Sequence, residues 1–162
     1  MKDLPKRKRL RLKDYDYSSE NFYFVTICTK NRKQIFGMAD NLSLFGHIAE
    51  NHLKKLNSFY NEINVIKYII MPNHIHAVIS VGCNPETVTD KKTARKNPCP
   101  TLSDIIGSYK AGVTREIHNI SPGYCVWQQG FYDHIIKNEA DFDNVWIYIE
   151  ENPAKWENDE YY

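Results

Sequence analysis

Two runs rich in β-branched residues, Ile63 to Met71 and His74 to Val81, meet at Met71-Pro72-Asn73 and place the tightest constraint on how this chain can fold. Proline punctuates the chain there, so the two segments are expected to double back as an antiparallel pair. The second run opens with His74-Ile75-His76. Successive strand residues point to opposite faces, so both imidazoles project from one face and Ile75 from the other. Two imidazoles so placed can share one divalent ion, with a further protein ligand or ordered waters completing the shell. A His-x-His pair also occurs as an ordinary structural feature, so its surroundings decide its meaning.

Upstream, Phe22 to Thr29 combines aromatic and β-branched residues and gives way to polar Lys30-Asn31-Arg32-Lys33, the pattern of a strand leaving into a turn. Behind Ser43 as a cap, Leu44, Phe45, Ile48, Leu53, Leu56 and Tyr60 recur at helical spacing. A second helix is predicted from Thr101 to His118, where Leu102, Ile105, Ile106, Tyr109, Val113 and Ile117 share a side and Thr101 with Asp104 forms a capping-box pattern. After the turn Ser121-Pro122-Gly123, Cys125-Val126-Trp127 and Phe131 to Ile136 read as short β segments. Asn138 opens a last helix, which runs to about Asn152 and is ended by Pro153. This order predicts an α+β, ferredoxin-like sandwich: a mainly antiparallel sheet with helices on one face. Such an architecture hosts many unrelated activities, so function has to be argued from the site.

A length of 162 residues suits one domain, and 42% hydrophobic with 25% charged residues excludes a disordered or fibrous chain. No apolar stretch approaches the ~18 residues of a membrane span. The basic N-terminus runs into Asp14-Tyr15-Asp16-Tyr17-Ser18-Ser19 rather than into the apolar segment of a signal peptide, so a cytoplasmic protein without membrane contact is expected. Cys28, Cys83, Cys99 and Cys125 show neither a CxxC pair nor a finger spacing and read as reduced thiols. The net charge of +1 conceals an asymmetry: residues 1–13 hold seven Lys or Arg against Asp3, and residues 139–162 hold eight acids against Lys155. We divide the chain into a basic N-terminal arm (1–20), a single domain (21–156) and an acidic tail (157–162). Residues 82–100, with three prolines and Lys91, Lys92, Arg95 and Lys96, read as a basic loop. The arm suits a phosphate backbone, and equally reads as a solvated tail.

Six elements recur in order: Arg11 to Tyr17; Tyr23 to Arg32; Met71-Pro72-Asn73-His74-Ile75-His76; Trp127-Gln128; Asp133-His134 with Ile136; and Tyr148-Ile149-Glu150-Glu151-Asn152-Pro153. Together they resemble the REP-associated tyrosine transposases, over roughly residues 7 to 156. These are one-tyrosine HUH single-strand DNA nucleases, named for their His-hydrophobic-His signature. The resemblance implies that His74 and His76 bind a metal, Mg²⁺ or Mn²⁺, that Asn152 is a third, amide-bearing ligand, and that Tyr148 is the nucleophile. The spacing agrees, since Tyr148 and Asn152, four apart on a helix, emerge from one face. The implied reaction is a transesterification that leaves a 5′-phosphotyrosine and a free 3′-hydroxyl. The implied partners are single-stranded DNA and hairpins of palindromic repeats.

His134 is a candidate active-site neighbour, because only one of the adjacent Asp133 and His134 can face the site. Lys6, Arg7, Lys8, Arg9, Arg11, Lys13, Arg32 and Lys33 are candidate phosphate contacts, and Tyr15 and Tyr17 could stack on unpaired bases. The expected protein is a metal-dependent single-strand DNA endonuclease and strand transferase, a monomer or homodimer. The alternative is a non-catalytic hairpin-binding module of the same fold, and the intact His, Tyr and Asn set favours the enzyme. Should another tyrosine act, Tyr132 and Tyr109 come next.

Overall fold

The aromatic and β-branched run forms β1 (Asn21–Cys28), which a short 3-10 turn, Lys30–Arg32, connects to a small hairpin, β2 (Gly37–Met38) and β3 (Asn41–Leu42). There follow α1 (Leu44–Phe59), β4 (Ile63–Met71), β5 (His74–Val81), α2 (Leu102–Ile120), β6 (Tyr132–Ile136), α3 (Glu139–Glu151) and a 3-10 run, Asn152–Asn158. This is a computed structural model that describes residues 21–60, 63–82 and 100–158. Lys6, Arg7, Lys8, Arg9, Arg11, Lys13, Tyr15 and Tyr17 of the arm, the basic loop at 83–99 and residues 159–162 of the acidic tail lie outside the described residues.

The four long strands form one sheet in the order β4-β5-β1-β6, with every neighbouring pair antiparallel. With β1 and β5 in the centre, this is the ferredoxin-like βαββαβ arrangement expected from the sequence. Side-chain alternation gives the sheet two different faces. Tyr23, Val25 and Ile27 of β1 join Ile75, Ala77 and Ile79 of β5 in the main core, beneath Ile48, Leu53, Ile105, Ile106 and Val113 of α1 and α2. The opposite face carries Phe24, Ile69, Val78 and Ile136, and α3 covers it with Val145 and Ile149. Placement on one face therefore holds for α1 and α2, while α3 takes the other, because a sheet apolar on both sides needs cover on both.

Helix starts follow the sequence closely. The Ser43 hydroxyl accepts from the Gly46 amide, Thr101 and Asp104 complete a capping box, and the Asn138 side chain accepts from the Asp141 amide. Two details differ from expectation. Cys125 to Trp127 forms no strand and makes one bridge, Thr29 to Trp127, and the β2-β3 hairpin is too short to leave a periodic signal. A further irregularity shapes the site. In β4 the register against β5 shifts between Val65 and Lys67, so Val65 lies opposite Ile79 and Lys67 opposite Val78. This bulge exchanges the faces: Ile63 and Val65 pack into the main core before it, and Tyr68 and Ile70 after it.

Glycine tolerance gives a paired test. A Cβ on Gly46 would lie 2.2 Å from the Phe36 carbonyl oxygen, whereas one on Gly107 meets nothing within 4 Å. Both residues are helical, where Ala is normally favoured by up to ~1 kcal/mol. Gly107→Ala is expected to raise stability by up to ~1 kcal/mol and Gly46→Ala to lower it by about 2–3 kcal/mol, read from urea midpoints at an unchanged denaturant slope.

Candidate active site

His74 and His76 are buried on the α3 face, on rungs of β5 opposite Cys28 and Thr26 of β1. Each ring is oriented through its Nδ1. His74 Nδ1 donates to Asn73 Oδ1 at 2.8 Å, and His76 Nδ1 lies 2.9 Å from Thr26 Oγ1. Asn73 is itself held by the turn that the proline creates. Pro72 O accepts from the Phe36 amide, and Asn73 O accepts from the Thr29 amide at 2.9 Å and lies 3.0 Å from the Thr29 hydroxyl.

With both Nδ1 atoms engaged, the Nε2 atoms face each other 3.0 Å apart. A carboxamide oxygen only accepts, so His74 carries its proton on Nδ1 and presents a lone pair at Nε2. His76 then donates from Nε2, with the Thr26 hydroxyl donating to His76 Nδ1. Rotation of that hydroxyl lets His76 change tautomer without moving a heavy atom. Two lone pairs 3.0 Å apart also suit one ion, since bonds of about 2.1 Å meeting near a right angle span that distance. Among the described residues no cluster of three His, Cys, Asp or Glu side chains is present, so a third protein donor would be a neutral oxygen such as that of Asn152. Burial, with an electrostatic contribution from His74, pushes the His76 imidazole well below its ordinary range, so the ring keeps one nitrogen lone pair available.

Tyr148 stands over this pair. Its hydroxyl lies 3.5 Å from His76 Nε2, and its ring meets those of His76 and Phe24 edge to face, at centroid distances of 5.2 and 5.8 Å. The tyrosine is 40% exposed while the imidazoles are almost fully buried, so the phenol is where this cluster meets solvent. Asn152, one turn further on, is buried and donates its backbone amide to Tyr148 O. Trp156, from the 3-10 run, lies against His74 with ring centroids 6.0 Å apart.

His74, His76 and Tyr148 are thus brought together. His134 stands across β1 from β5, opposite Phe24, and its Nε2 lies 2.9 Å from Asp141 in the first turn of α3, where it braces that helix. Tyr132 shares the His face on β6, opposite Thr26. Tyr109 is buried in the other core and donates to Ala49 O, with burial pushing its hydroxyl far above the usual range, which removes it as an alternative nucleophile. Arg32 and Lys33 are exposed just beyond β1, in the segment that Thr29 ties to the Asn73 turn. Asn31 and Arg32 both have left-handed backbone, at φ 54° and 53°. Trp127 is structural, donating to Lys110 O, while Lys110 donates to the carbonyls of Gln128 and Gly130.

Sequence reasoning missed Asn73, Thr26 and Trp156. Strand parity could have placed Thr26 on the imidazole face, whereas the position of Trp156 depends on how the chain leaves α3. The buried imidazole has a measurable consequence. Its folded pKa lies below the unfolded value near 6.5, so the folded state binds fewer protons. Stability is present above that pH and is lost as pH falls below it, by up to about 1.4 kcal/mol per unit. Urea unfolding between pH 7 and 5.5 should show this loss, and His76→Gln should make it shallower.

No family model matches the chain. An uncharacterized protein of Haemophilus influenzae is 34% identical over 167 residues, an alignment that covers 96% of this chain and 93% of the relative. Among solved structures, a REP-associated tyrosine transposase bound to a REP hairpin superposes with a TM-score of 0.59 at 16% identity, covering 90% of this chain and 73% of that one. A Deinococcus radiodurans protein assigned as a transposase gives a TM-score of 0.52, also at 16% identity, covering 87% of this chain and 95% of that one. At such identity the likeness is one of fold. The chain belongs to the same family as the Haemophilus influenzae protein and is built on the transposase fold.

Proposed function

We propose that this protein is a metal-dependent single-strand DNA endonuclease and strand transferase that cleaves near DNA hairpins through Tyr148. The observation that carries this reading is a solvent-reachable phenol 3.5 Å from one of two buried imidazoles whose Nε2 atoms converge. The fold of a transposase bound to a REP hairpin supports a DNA partner. An Mg²⁺ or Mn²⁺ ion held by His74 and His76, with Asn152 as the third donor, would polarise a phosphodiester and favour ionisation of a nearby phenol.

In this reading Tyr148 Oη attacks phosphorus, an Oη–P bond forms, and the P–O3′ bond breaks. The phenol proton passes to solvent, and the departing 3′-oxygen takes up a proton to become a hydroxyl. One phosphodiester replaces another, so the step is reversible and the freed or a second 3′-hydroxyl can reclaim the strand. Phe24 and His76 fix the phenol ring on two sides, which reduces the freedom it must lose before attack. Asn73 and Thr26 hold the imidazoles, Arg32 and Lys33 offer cations at the same end of the sheet, and the N-terminal arm adds phosphate contacts.

Incubation of the full-length protein with a labelled hairpin oligonucleotide and Mg²⁺ or Mn²⁺ is expected to give a covalent protein–DNA band. Tyr148→Phe should abolish that band while hairpin affinity stays within about twofold, because the ring packing survives. His74→Ala should abolish cleavage and keep most of the affinity, since phosphate contacts lie elsewhere. Tight hairpin binding with no adduct under either ion would establish the non-catalytic binding module instead.

A second measurement concerns the arm. Removing residues 1–13 should weaken DNA binding and lower the slope of log affinity against log salt by about one for each phosphate that the arm neutralises. Equal slopes for the two proteins would assign the arm no part in binding.

A further inference from the structure

Tyr148 meets the imidazoles only at one rotation of α3 about its own axis. The buried residues of that helix are Val145 and Ile149, with Phe142 half-buried beside them, which makes a narrow apolar stripe. Such a stripe restrains roll weakly. At about 100° per residue, Tyr148 lies roughly 90° to one side of the stripe, and Trp146 and Glu150 roughly 70–110° to the other. A tyrosine hydroxyl stands about 9 Å from the helix axis, so a roll of about 20° carries it about 3 Å. That displacement is comparable with the whole separation from His76.

Lys67 of β4 occupies the flank opposite Tyr148. Its Nζ donates to Glu150 Oε1 at 2.6 Å and lies 3.7 Å from the centroid of the Trp146 ring. Trp146 Nε1 donates to the same carboxylate oxygen at 3.2 Å. Although β4 is an edge strand, the Lys67 side chain is only 14% exposed. The bulge puts it there. Without the extra residue, Ile66 would stand opposite Val78 and face α3, and Lys67 would point toward the other core. The irregularity therefore directs a cation beneath the helix that carries Tyr148.

We propose that Lys67 is a positioning residue: by gripping Trp146 and Glu150 it sets the roll of α3 and so holds the Tyr148 hydroxyl at the His74–His76 pair. The consequence for catalysis rests on the role given to Tyr148 above, whereas the consequence for geometry does not. On the other flank the His134–Asp141 pair restrains the first turn of α3, seven residues before Tyr148, whereas Lys67 grips residues two positions to either side of the tyrosine.

The test uses the full-length protein, Lys67→Met, which keeps the stem and removes the charge, and Lys67→Arg, which restores a cation. The nuclear Overhauser contact between the Tyr148 and His76 rings, expected in the wild type at a centroid distance of 5.2 Å, reports the roll without DNA or metal. It should vanish in Lys67→Met and persist in Lys67→Arg, with core packing around Tyr109 unchanged in both. Covalent attachment should slow at least tenfold in Lys67→Met, at hairpin affinity within about twofold, and recover in Lys67→Arg. A ring contact that persists in Lys67→Met, or attachment that falls only in proportion to affinity, would overturn the proposal. If the wild type forms no adduct, the reading of Tyr148 as nucleophile fails, and the ring contact alone decides the positioning role. Should Lys67→Met not fold, Glu150→Gln at the exposed end of the same grip is judged by the same criteria.

Discussion

The rung that sets Thr26 beside His76, between the two central strands, is the contact on which the site depends. Strand side chains alternate, so a slip of one residue between β1 and β5 would move both imidazoles to the other face of their strand, into the apolar core under α1 and α2. His76 would there lose the Thr26 hydroxyl, and an unpaired buried polar group costs on the order of 1–3 kcal/mol. The register is locked at its end by the Pro72–Asn73 turn, whose carbonyls accept from Phe36 and Thr29. The same turn presents Asn73 Oδ1 to His74. Strand pairing, turn and imidazole orientation therefore form one connected arrangement.

The two faces of the sheet divide stability from chemistry. The α1 and α2 side contains the large buried side chains, including Tyr23, Phe36, Leu53, Ile75 and Tyr109. The α3 side has a much smaller apolar cluster and depends on polar ties to both edge strands, Lys67 on β4 and His134 on β6. A helix with few apolar contacts belongs to the less stable part of a fold, which under the proposed function suits an element that would admit a substrate strand beside its tyrosine. Its alignment rests on directional contacts, which can fix a rotation that a narrow apolar stripe leaves free.

Much of this was legible in the sequence. The hairpin at Met71-Pro72-Asn73, the caps at Ser43, Thr101 and Asn138, and the convergence of His74 with His76 follow from local rules, because proline, capping side chains and strand alternation act over a few residues. The approach of Tyr148, 72 residues beyond His76, was legible only through the family resemblance. Three things were decided by tertiary structure alone: the second face that α3 covers, the bulge that turns Lys67 beneath it, and the placement of Trp156 against His74. Each depends on which strands become neighbours and in what register. That choice is made by packing of the whole core, which no local window of sequence contains.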